Sequence, residues 1–483
     1  DRQCDLKLTA SLGWAPDRLP IQEQATIVVG NALKLDWSTV CPPGDETIVA
    51  GNPPFVGTKE RTAEQTADLR HVWRDRYDGF LDYVAGWYAK AIQYFGTTNG
   101  LWAFVSTNSI SQGQAVPSLW GEIFAKGWVV KFAHRTFPWT SEAARGAAVH
   151  CVIVGFTRDA DSRRLIFEVS DRGGARWGSP AKTINAYLVD GPQVLVRKRM
   201  HPLSPVLPEV SAGSKAVDWG FLTVEPEEYA AVASDPVAVQ YLRPYKGGDE
   251  LINGLDRWCL WFEGADVELL RRSPLISARL EEIRSRRAKS PKAATRRGAT
   301  TPHLFEERRQ PETPYLGIPQ TFTDSRPFAT VARVDPDVIA SIKLFTSPDP
   351  DGLLFALISS SMFMVWQRTV GGRMKSDPSF TNTIVWNTLP VPHIHGDERE
   401  AIVAAGRAIE AARSNYQRLT LADLYKPESI PSPLREAHEA LDHLVDNAFR
   451  AGSSKRSFAE RQRILFERYR ELTASLTSSP SQQ

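Results

Sequence analysis

The first 157 residues alternate short apolar runs with stretches of helical periodicity, and this alternation constrains the fold more than any other feature. Five runs are predicted as strands: residues 25–30, 47–50, 101–107, 129–132 and 149–156. Between the second and third runs, aromatic residues recur mostly at three- and four-residue steps over residues 63–95, which predicts a helix. Strands that alternate with helices form crossover units, so we expect an α/β domain with a mostly parallel sheet.

Beyond residue 158 the strand-like pieces become shorter, and proline and glycine are frequent. Four pieces are predicted as strands: residues 186–189, 193–197, 328–334 and 383–385. A basic, helix-rich stretch covers residues 265–297, so a mixed α+β domain is expected here. Three stretches near the C-terminus have helical periodicity: residues 398–416, 433–450 and 457–474. The predicted domains are therefore residues 1–190, 191–392 and 393–483.

The composition is that of an ordinary soluble protein of two or three domains. The formal net charge is +2, so total charge does not indicate a partner and only local clusters can. The four cysteines form no Cys-x-x-Cys pair, and no set of cysteines and histidines completes a metal-ligand pattern. This is typical of reduced thiols in a cytoplasmic protein without a metal site. No apolar run approaches the roughly 20 residues that span a bilayer, so no membrane segment is expected.

The sharpest local signal is Asn52-Pro53-Pro54-Phe55, which follows the predicted strand at residues 47–50 and one glycine. Ligands of open α/β sheets bind at the carboxyl ends of the strands. The two prolines stiffen the loop, and the phenylalanine offers a flat face to a base that has left its duplex. The alternative is a rigid structural loop whose phenylalanine packs in the core. The preceding strand and the flanking glycines favour a catalytic loop.

Methyl transfer to the exocyclic amine of a base needs the groups that this loop provides. The lone pair of such an amine is delocalised into the base, so the nitrogen is a poor nucleophile. Two hydrogen-bond acceptors that engage both amine hydrogens draw the nitrogen towards tetrahedral geometry and localise the lone pair. The carboxamide oxygen of Asn52 and the backbone carbonyl of Pro53 are predicted to be these acceptors, held in place before the substrate arrives.

A second signal is a local excess of basic residues between residues 271 and 309, where twelve arginines and lysines are opposed by four glutamates. Such an excess in a nearly neutral protein favours contact with DNA phosphates. Seven residues are predicted to make these contacts: Arg284, Arg286, Arg287, Lys289, Lys292, Arg296 and Arg297. Residues 290–301 are predicted to form a flexible loop that follows the DNA backbone. The alternative is a solvated helix face followed by a surface loop.

Lys375 and Asp377 are two residues apart, and on an extended strand their side chains would point to the same side. Lysine donates to the acceptors of guanine, and aspartate accepts from the amine of cytosine, so this pair is predicted to read a G·C pair. Arg373 is predicted to contact a base or a phosphate. The alternative, equally compatible with the sequence, is a charged hairpin turn that ends at Pro378.

These residues resemble those of the DNA amino-methyltransferases, which have an Asp/Asn/Ser-Pro-Pro-aromatic loop at this place. The Asn-Pro-Pro-Phe version implies N6 of adenine as the methylated atom and S-adenosylmethionine as the methyl donor. Residues 28–37 resemble the segment before that loop, which implies that Asp36 and Asn31 lie at the donor. Phe137 and Trp139, in the polar loop between the last two predicted strands, fall where the family has an aromatic side chain that packs on the flipped base.

The second domain resembles the target-recognition domain of Type IIG/IIL enzymes, which join endonuclease, methyltransferase and recognition domains in one polypeptide. The order and spacing of four segments carry this resemblance: residues 243–245, 250–254, 257–261 and 372–377. The resemblance implies double-stranded DNA as the partner and supports a base-reading role for the last segment.

The chain departs from this family at its start. Only 51 residues precede Asn52, and they include neither the glycine-rich donor loop nor the nuclease metal site. We therefore expect an α/β fold with an incomplete Rossmann-like methyltransferase sheet, followed by an α+β target-recognition domain and a helical C-terminal segment. The expected function is site-specific adenine-N6 methylation in a restriction-modification enzyme, with a donor-binding and nuclease portion in the same or a second chain. The alternatives are a DNA-recognition fragment or specificity partner without methyltransferase activity and, more weakly, an RNA base or a protein amide as substrate.

Overall fold

A computed structural model describes residues 9–11, 13, 25–139, 149–168, 178–374, 376–450 and 456–478. Its strands are β1 (Ile48–Gly51), β2 (Leu101–Thr107), β3 (Val129–Trp139), β4 (Val149–Thr157), β5 (Arg164–Phe167), β6 (Ser179–Ala181), β7 (Ser211–Ala212), β8 (Thr223–Val224), β9 (Leu242–Lys246), β10 (Trp258–Leu260), β11 (Tyr315–Pro319), β12 (Ala332–Val334), β13 (Ile339–Ala340), β14 (Leu344–Pro348), β15 (Gly372–Met374) and β16 (Asp377–Ser379).

The α-helices of the same residues are α1 (Ala63–Trp73), α2 (Ala85–Phe95), α3 (Ala115–Ala125), α4 (Pro226–Ala233), α5 (Ala238–Tyr241), α6 (Gly248–Asn253), α7 (Val267–Arg271), α8 (Pro274–Ala288), α9 (Ala293–Arg297), α10 (Leu353–Ser359), α11 (Ser361–Val370), α12 (Gly396–Ser414), α13 (Leu421–Leu424), α14 (Ser432–Ala448) and α15 (Phe458–Ser478). Short 3-10 helices cover Trp37–Thr39, Arg74–Arg76, Asn108–Ser111 and Gly298–Thr300, and Asn382–Trp386 is a π-helical turn.

The first domain is built on a six-stranded sheet with the strand order β1-β2-β4-β3-β5-β6. The pairs β1/β2 and β3/β5 are parallel, whereas β2/β4, β3/β4 and β5/β6 are antiparallel. The predicted mostly parallel arrangement is therefore wrong for this sheet. Only residues 140–148 separate β3 from β4, and a parallel crossover needs a dozen residues or more. The predicted α/β class, with an incomplete methyltransferase sheet, is confirmed.

The core of this domain is an aromatic cluster between the sheet and α2. Every second residue of β2 is buried, as expected for a strand with one face against the core. The ring of Trp102 stacks on Phe156 at 3.9 Å between centroids. Tyr88 of α2 packs edge-on against both rings, and its hydroxyl is hydrogen-bonded to the Ser106 hydroxyl at 2.8 Å. These contacts fix β2 in the core. The turn that follows β2 carries polar residues.

Several predicted elements of the first and second domains are wrong. Residues 25–29 are irregular, and Ile27 and Val29 are 82% and 94% exposed, since no strand of the described residues pairs with them. The helix predicted over residues 63–95 is two helices, because Arg74 adopts a positive φ of 52° at the end of α1. The strands predicted at residues 186–189, 193–197 and 383–385 are turns or irregular segments, the last being the π-helical turn.

The second domain combines two four-stranded sheets with a hairpin, as expected for an α+β domain. The sheets have the orders β13-β9-β10-β8 and β12-β11-β14-β7, and β15 pairs with β16 as an antiparallel hairpin. Helices α7 and α8 pack on the core of the first sheet, and the basic stretch is helical as predicted. Of the strand predicted at residues 328–334, only β12 is formed.

The C-terminal segment consists of three long helices, α12, α14 and α15, in agreement with the prediction. The side chain of Arg461 on α15 forms a buried two-point ion pair with Asp446 on α14, at 2.8 and 2.9 Å. His438 of α14 is fully buried against Phe328, whose ring lies 3.9 Å away. No single helix of the described residues is long and apolar enough to cross a membrane, and α10 with α11, bent by 64°, passes only as a pair on length and composition.

Candidate functional site

The Asn-Pro-Pro-Phe loop begins where β1 ends. Gly51, the last residue of β1, lies opposite Phe104 of β2, and Asn52 follows it directly. Asn52 is exposed, Pro53 is buried, and Phe55 is half-buried against the main core. The described residues give the Asn52 carboxamide no hydrogen-bond partner. The structure therefore places an accessible carboxamide on a loop whose proline is anchored, at the sheet edge that the sequence predicted.

A second polar group lies at the same sheet edge, after β2. The hydroxyls of Thr107 and Ser109 both donate to the carboxylate of Asp82, which precedes α2. Burial raises the pKa of Asp82 above its ordinary value, and the hydrogen bonds from Ser109 and Thr107 oppose that shift. The backbone of Thr58, just beyond the Asn-Pro-Pro-Phe loop, also lowers the pKa of this carboxyl, and Thr58 and Asp82 line the same cavity. Asp82 thus lies between the segment after the Asn-Pro-Pro-Phe loop and the turn after β2, a position that the sequence did not indicate.

The hairpin β15–β16 of the second domain lies against that same turn. The backbone N–H of Gly113 donates to the carbonyl of Val370 at 3.0 Å, and a Cβ on Gly113 would lie 3.4 Å from the Cα of Gly372. Gly113 has a φ of +67°, which L side chains rarely adopt. Between the hairpin and the turn is a cavity of about 320 Å³, lined by Asp82, Asn108 and Arg373 among others. The sheet edge that carries the Asn-Pro-Pro-Phe loop and the hairpin that was predicted to read bases therefore lie next to each other.

The two residues predicted to bind the methyl donor lie before β1. Asp36 is exposed, and its Oδ1 accepts from the backbone N–H and hydroxyl of Ser38, which lower the pKa of this carboxyl. The Asn31 amide donates to Asp68 at 2.8 Å, and its carbonyl oxygen accepts from the N–H of Leu33 at 2.9 Å. These bonds fix the Asn31 side chain and leave it one N–H and one oxygen lone pair for a further partner, whereas the Asp36 carboxylate is exposed.

Phe137 and Trp139 lie at the carboxyl end of β3 and not in a loop, because β3 continues to Trp139 and pairs there with β4. Both β2 and β3 are antiparallel to β4, so their carboxyl ends lie at the same edge as that of β1. The two rings are 6.3 Å apart, Phe137 is half-buried, and Trp139 is 37% exposed. The structure thus brings both aromatic residues to the edge that carries the catalytic loop.

Arg287, one of the residues predicted to contact phosphate, is only 1% exposed, so its guanidinium does not lie on the surface of this structure. All five of its N–H donors are directed at backbone carbonyls at 2.8–3.2 Å. The acceptors are the carbonyls of Ala216, Val217, Gly298, Thr301 and Leu304. The guanidinium therefore joins α8 to the segment before β8 and to the segment after α9.

The other predicted phosphate contacts lie on the surface of this basic helical region. Arg284 and Arg286 are paired with glutamates one turn earlier on α8, and Arg286 also lies over the Phe221 ring. Arg296 donates to the backbone carbonyls of Ser290 and Pro291. Residues 290–301 include α9 and a 3-10 helix, so the predicted flexible loop is wrong. The side chains of three exposed cations have neither a carboxylate nor a carbonyl partner among the described residues: Lys289, Lys292 and Arg297.

The Lys-x-Asp segment is a hairpin and not one extended strand. Asp377 begins β16 opposite Met374 of β15, and Lys375 lies outside the described residues. Asp377 accepts from the backbone N–H of Asp324 at 2.9 Å, and Arg373 donates to the Asp324 carboxylate at 2.9 Å. Asp324 therefore holds Asp377, one of the two predicted base-reading residues, and Arg373, which was predicted to contact a base or a phosphate. No local pattern indicates Asp324, because it lies 49 residues before Arg373.

A sheet with an exposed Asn-Pro-Pro-Phe loop at its strand ends, adjoining a hairpin of a second domain, is the arrangement expected of a DNA-methyltransferase domain linked to a target-recognition domain. Three family models match the chain in order: MmeI, DNA-methyltransferase domain, over residues 1–168; MmeI, target recognition domain, over residues 190–393; and MmeI, C-terminal domain, over residues 394–477. The chain belongs to the MmeI family and contains these three domains.

Two relatives agree with this assignment. DNA methyltransferase A of Bacillus subtilis (strain 168) is 33% identical over 460 residues, which are 94% of this chain and 51% of that protein. A solved structure of the Type IIL restriction-modification enzyme MmeI in complex with DNA is 39% identical, with a TM-score of 0.86 over 98% of this chain and 63% of that chain. The resemblance stated from the sequence is confirmed. The chain spans about half to two thirds of the length of these relatives.

Proposed function

We propose that this chain carries the catalytic loop and the recognition domain of an enzyme that methylates N6 of adenine at a specific sequence in double-stranded DNA, within a cytoplasmic restriction-modification system. The observation that carries the proposal is the exposed, unpartnered carboxamide of Asn52 at the carboxyl end of β1, beside the anchored Pro53. The domain limits 1–190, 191–392 and 393–483 are part of this proposal.

In the proposed reaction the target adenine leaves the duplex and enters between Phe55 and the pair Phe137 and Trp139. The carboxamide oxygen of Asn52 accepts one hydrogen of the N6 amine, and the carbonyl of Pro53 accepts the other. The nitrogen lone pair is then localised and directed away from the base. Bound S-adenosylmethionine supplies the electrophilic methyl group. The buried Pro53 fixes the loop backbone, so the Pro53 carbonyl and the Cα of Asn52 need no reorganisation during the reaction.

The described residues fit S-adenosylmethionine only in part. Asp36 offers an exposed carboxylate for the adenosine part of the donor, whereas both polar ends of the Asn31 amide are already hydrogen-bonded. Within the described residues β1 pairs on one side only, and Ile48 on it is 68% exposed. An unpaired strand edge is a site for a further strand. We therefore propose that a donor-binding portion of the same or a second polypeptide pairs with this edge.

The second candidate is a DNA-recognition fragment or specificity partner without methyltransferase activity of its own. The partial fit to the donor favours it over an independent enzyme. Isothermal titration of S-adenosylmethionine into this 483-residue chain, with and without adenine-containing duplex DNA, separates the two candidates. Micromolar binding would support activity of this chain alone, and the absence of binding would support the need for a further portion.

Asn52→Ala tests the catalytic assignment in an enzyme that binds the donor. Because Asn52 is exposed and unpartnered, the variant is expected to fold and to bind DNA like the wild type. Its methylation rate is expected to fall by about 10²- to 10³-fold, as for the loss of one fixed hydrogen-bonding group in other active sites. Asn99→Ala is the matched control, since Asn99 is also exposed but precedes β2 at the opposite edge of the sheet. Equal losses of methylation and DNA binding would contradict the assignment.

A further inference from the structure

The loop before α2 presents Phe80 to solvent at the active edge of the sheet. Phe80 is 49% exposed, whereas the adjacent Leu81 is buried. Among the described residues of the first domain, Phe80 and Trp139 are the two most exposed aromatic side chains. Trp139 lies at the carboxyl edge of the sheet, and Phe80 lies two residues before Asp82, which is bonded to that edge. Exposed aromatic rings that cluster at one edge indicate a binding surface more than scattered ones do.

The position of Phe80 is held by its backbone and not by its own ring. The guanidinium of Arg61 donates to the carbonyls of Gly79 and Leu81 at 3.0 and 2.7 Å. The N–H of Phe80 donates to the carboxylate of Asp78 at 3.0 Å, and this carboxylate also accepts from the Ser118 hydroxyl at 2.5 Å. A ring on such a braced loop loses little conformational freedom when a ligand arrives, which favours binding.

Phe80 also lines the cavity of about 320 Å³ between the turn after β2 and the hairpin β15–β16. Uncharged polar side chains share this lining, including Asn108 and Gln112. The amide nitrogen of Asn108 is buried and has no hydrogen-bond partner. The charge of Arg373, on the opposite side, is offset by Asp324. An exposed ring beside uncharged polar groups matches a nucleobase, which has flat apolar faces and a polar edge, better than it matches a phosphate.

We propose that Phe80 stacks on a nucleobase of the bound DNA, at or directly next to the base pair that the target adenine leaves, and that the Asn108 amide donates to an acceptor on the edge of that base. The inference rests on the proposed function. It concerns a different surface from the flipped-base site, because Thr58 lines this cavity and residues 52–55 do not. The hairpin closes the cavity from the other side, so DNA that contacts the hairpin passes Phe80.

The test uses this 483-residue chain and sequences that it selects from a pool of random duplexes. Phe80→Ala is expected to weaken binding to the selected duplex by roughly 5- to 150-fold, the range measured for the loss of one base-stacking ring. Phe80→Trp is expected to retain the affinity. Leu419→Ala, at an equally exposed apolar position in the C-terminal segment, is the control and is expected to leave the affinity unchanged. All variants are expected to keep the thermal midpoint of the wild type.

Fluorescence of 2-aminopurine, placed in turn at each adenine of the selected sequence and at its neighbours, identifies the contacted base. In the wild type one position is expected to be quenched by the ring, and Phe80→Ala is expected to abolish that quenching. A wild type that selects no sequence would overturn the proposed function and this inference with it. A wild type that selects a sequence, together with a Phe80→Ala variant of equal affinity and equal fluorescence, would overturn this inference alone.

Discussion

Replacing Arg287 by methionine tests whether this arginine holds the recognition domain together or contacts DNA. Its buried guanidinium donates all five N–H groups to backbone carbonyls of two segments, one before β8 and one after α9. Hydrogen bonds that involve a charged group contribute about 1.5–3 kcal/mol each. Their sum would overstate the effect, because the variant also escapes the cost of burying the charge, which is several kcal/mol. We therefore expect Arg287→Met to lower the free energy of unfolding by about 3–5 kcal/mol.

The neighbouring Arg286 provides the matched control. It is exposed, its nearest carboxylate is Glu282 at 3.4 Å, and its guanidinium lies 5.1 Å from the centre of the Phe221 ring. Arg286→Met removes the same charge from the same helix, and we expect it to cost below about 1 kcal/mol. Urea unfolding followed by tryptophan fluorescence measures both variants, and DNA binding is compared under conditions in which both are folded.

Arg287→Met is expected to bind DNA as tightly as the wild type per folded molecule, because the buried charge is not accessible to phosphate. The reasoning would be refuted by an Arg287→Met protein that is as stable as Arg286→Met but binds DNA more weakly. That result would mean that α8 turns its buried face towards DNA when it binds.

Lys289→Ala and Arg297→Ala are each expected to reduce the slope of log affinity against log salt by about one unit on any duplex, because both cations are exposed without a carboxylate partner among the described residues; unchanged slopes in a salt titration would exclude phosphate contacts. Burial lowers the pKa of His438 to about 3, below the roughly 6.5 of the unfolded chain, so between these values only the unfolded state binds the proton. Wild-type stability is therefore expected to fall by up to about 1.4 kcal/mol per pH unit below pH 6.5, and His438→Gln to lose this component; equal slopes in urea unfolding at pH 7 and 5 would show that the histidine is not buried in its neutral form.

The parts of the fold that could be predicted are those in which one strong local pattern decides the structure. The strand at residues 101–107 was predicted with its observed limits, because an apolar run flanked by turn residues has few other solutions. The same holds for the three C-terminal helices, whose apolar positions recur at helical spacing over 17–21 residues. The position of the Asn-Pro-Pro-Phe loop was predictable because its motif directly follows β1.

The parts that failed depend on partners distant in the chain. Residues 25–30 are as apolar as a strand, but a strand needs a neighbour, and none of the described residues pairs with them. Arg287 was counted among exposed charges, although it lies four residues after Ile283 and therefore on the same buried helix face. That spacing was a usable signal. Asp324 and Asp82 had none, because their roles arise from chain segments that meet only in the folded protein.

The glycine contact between the turn after β2 and the hairpin has a consequence for the distance along DNA between the recognised bases and the modified base. A Cβ on Gly113 would already touch the backbone of Gly372 at 3.4 Å, and the hydrogen bond from the N–H of Gly113 to the carbonyl of Val370 is a backbone contact between the two domains. If the hairpin contacts one base and the Asn-Pro-Pro-Phe loop modifies another, this backbone contact sets the number of base pairs between the recognised base and the modified base. Different side chains on the hairpin would change which base is recognised. The number of base pairs between that base and the modified adenine would stay the same.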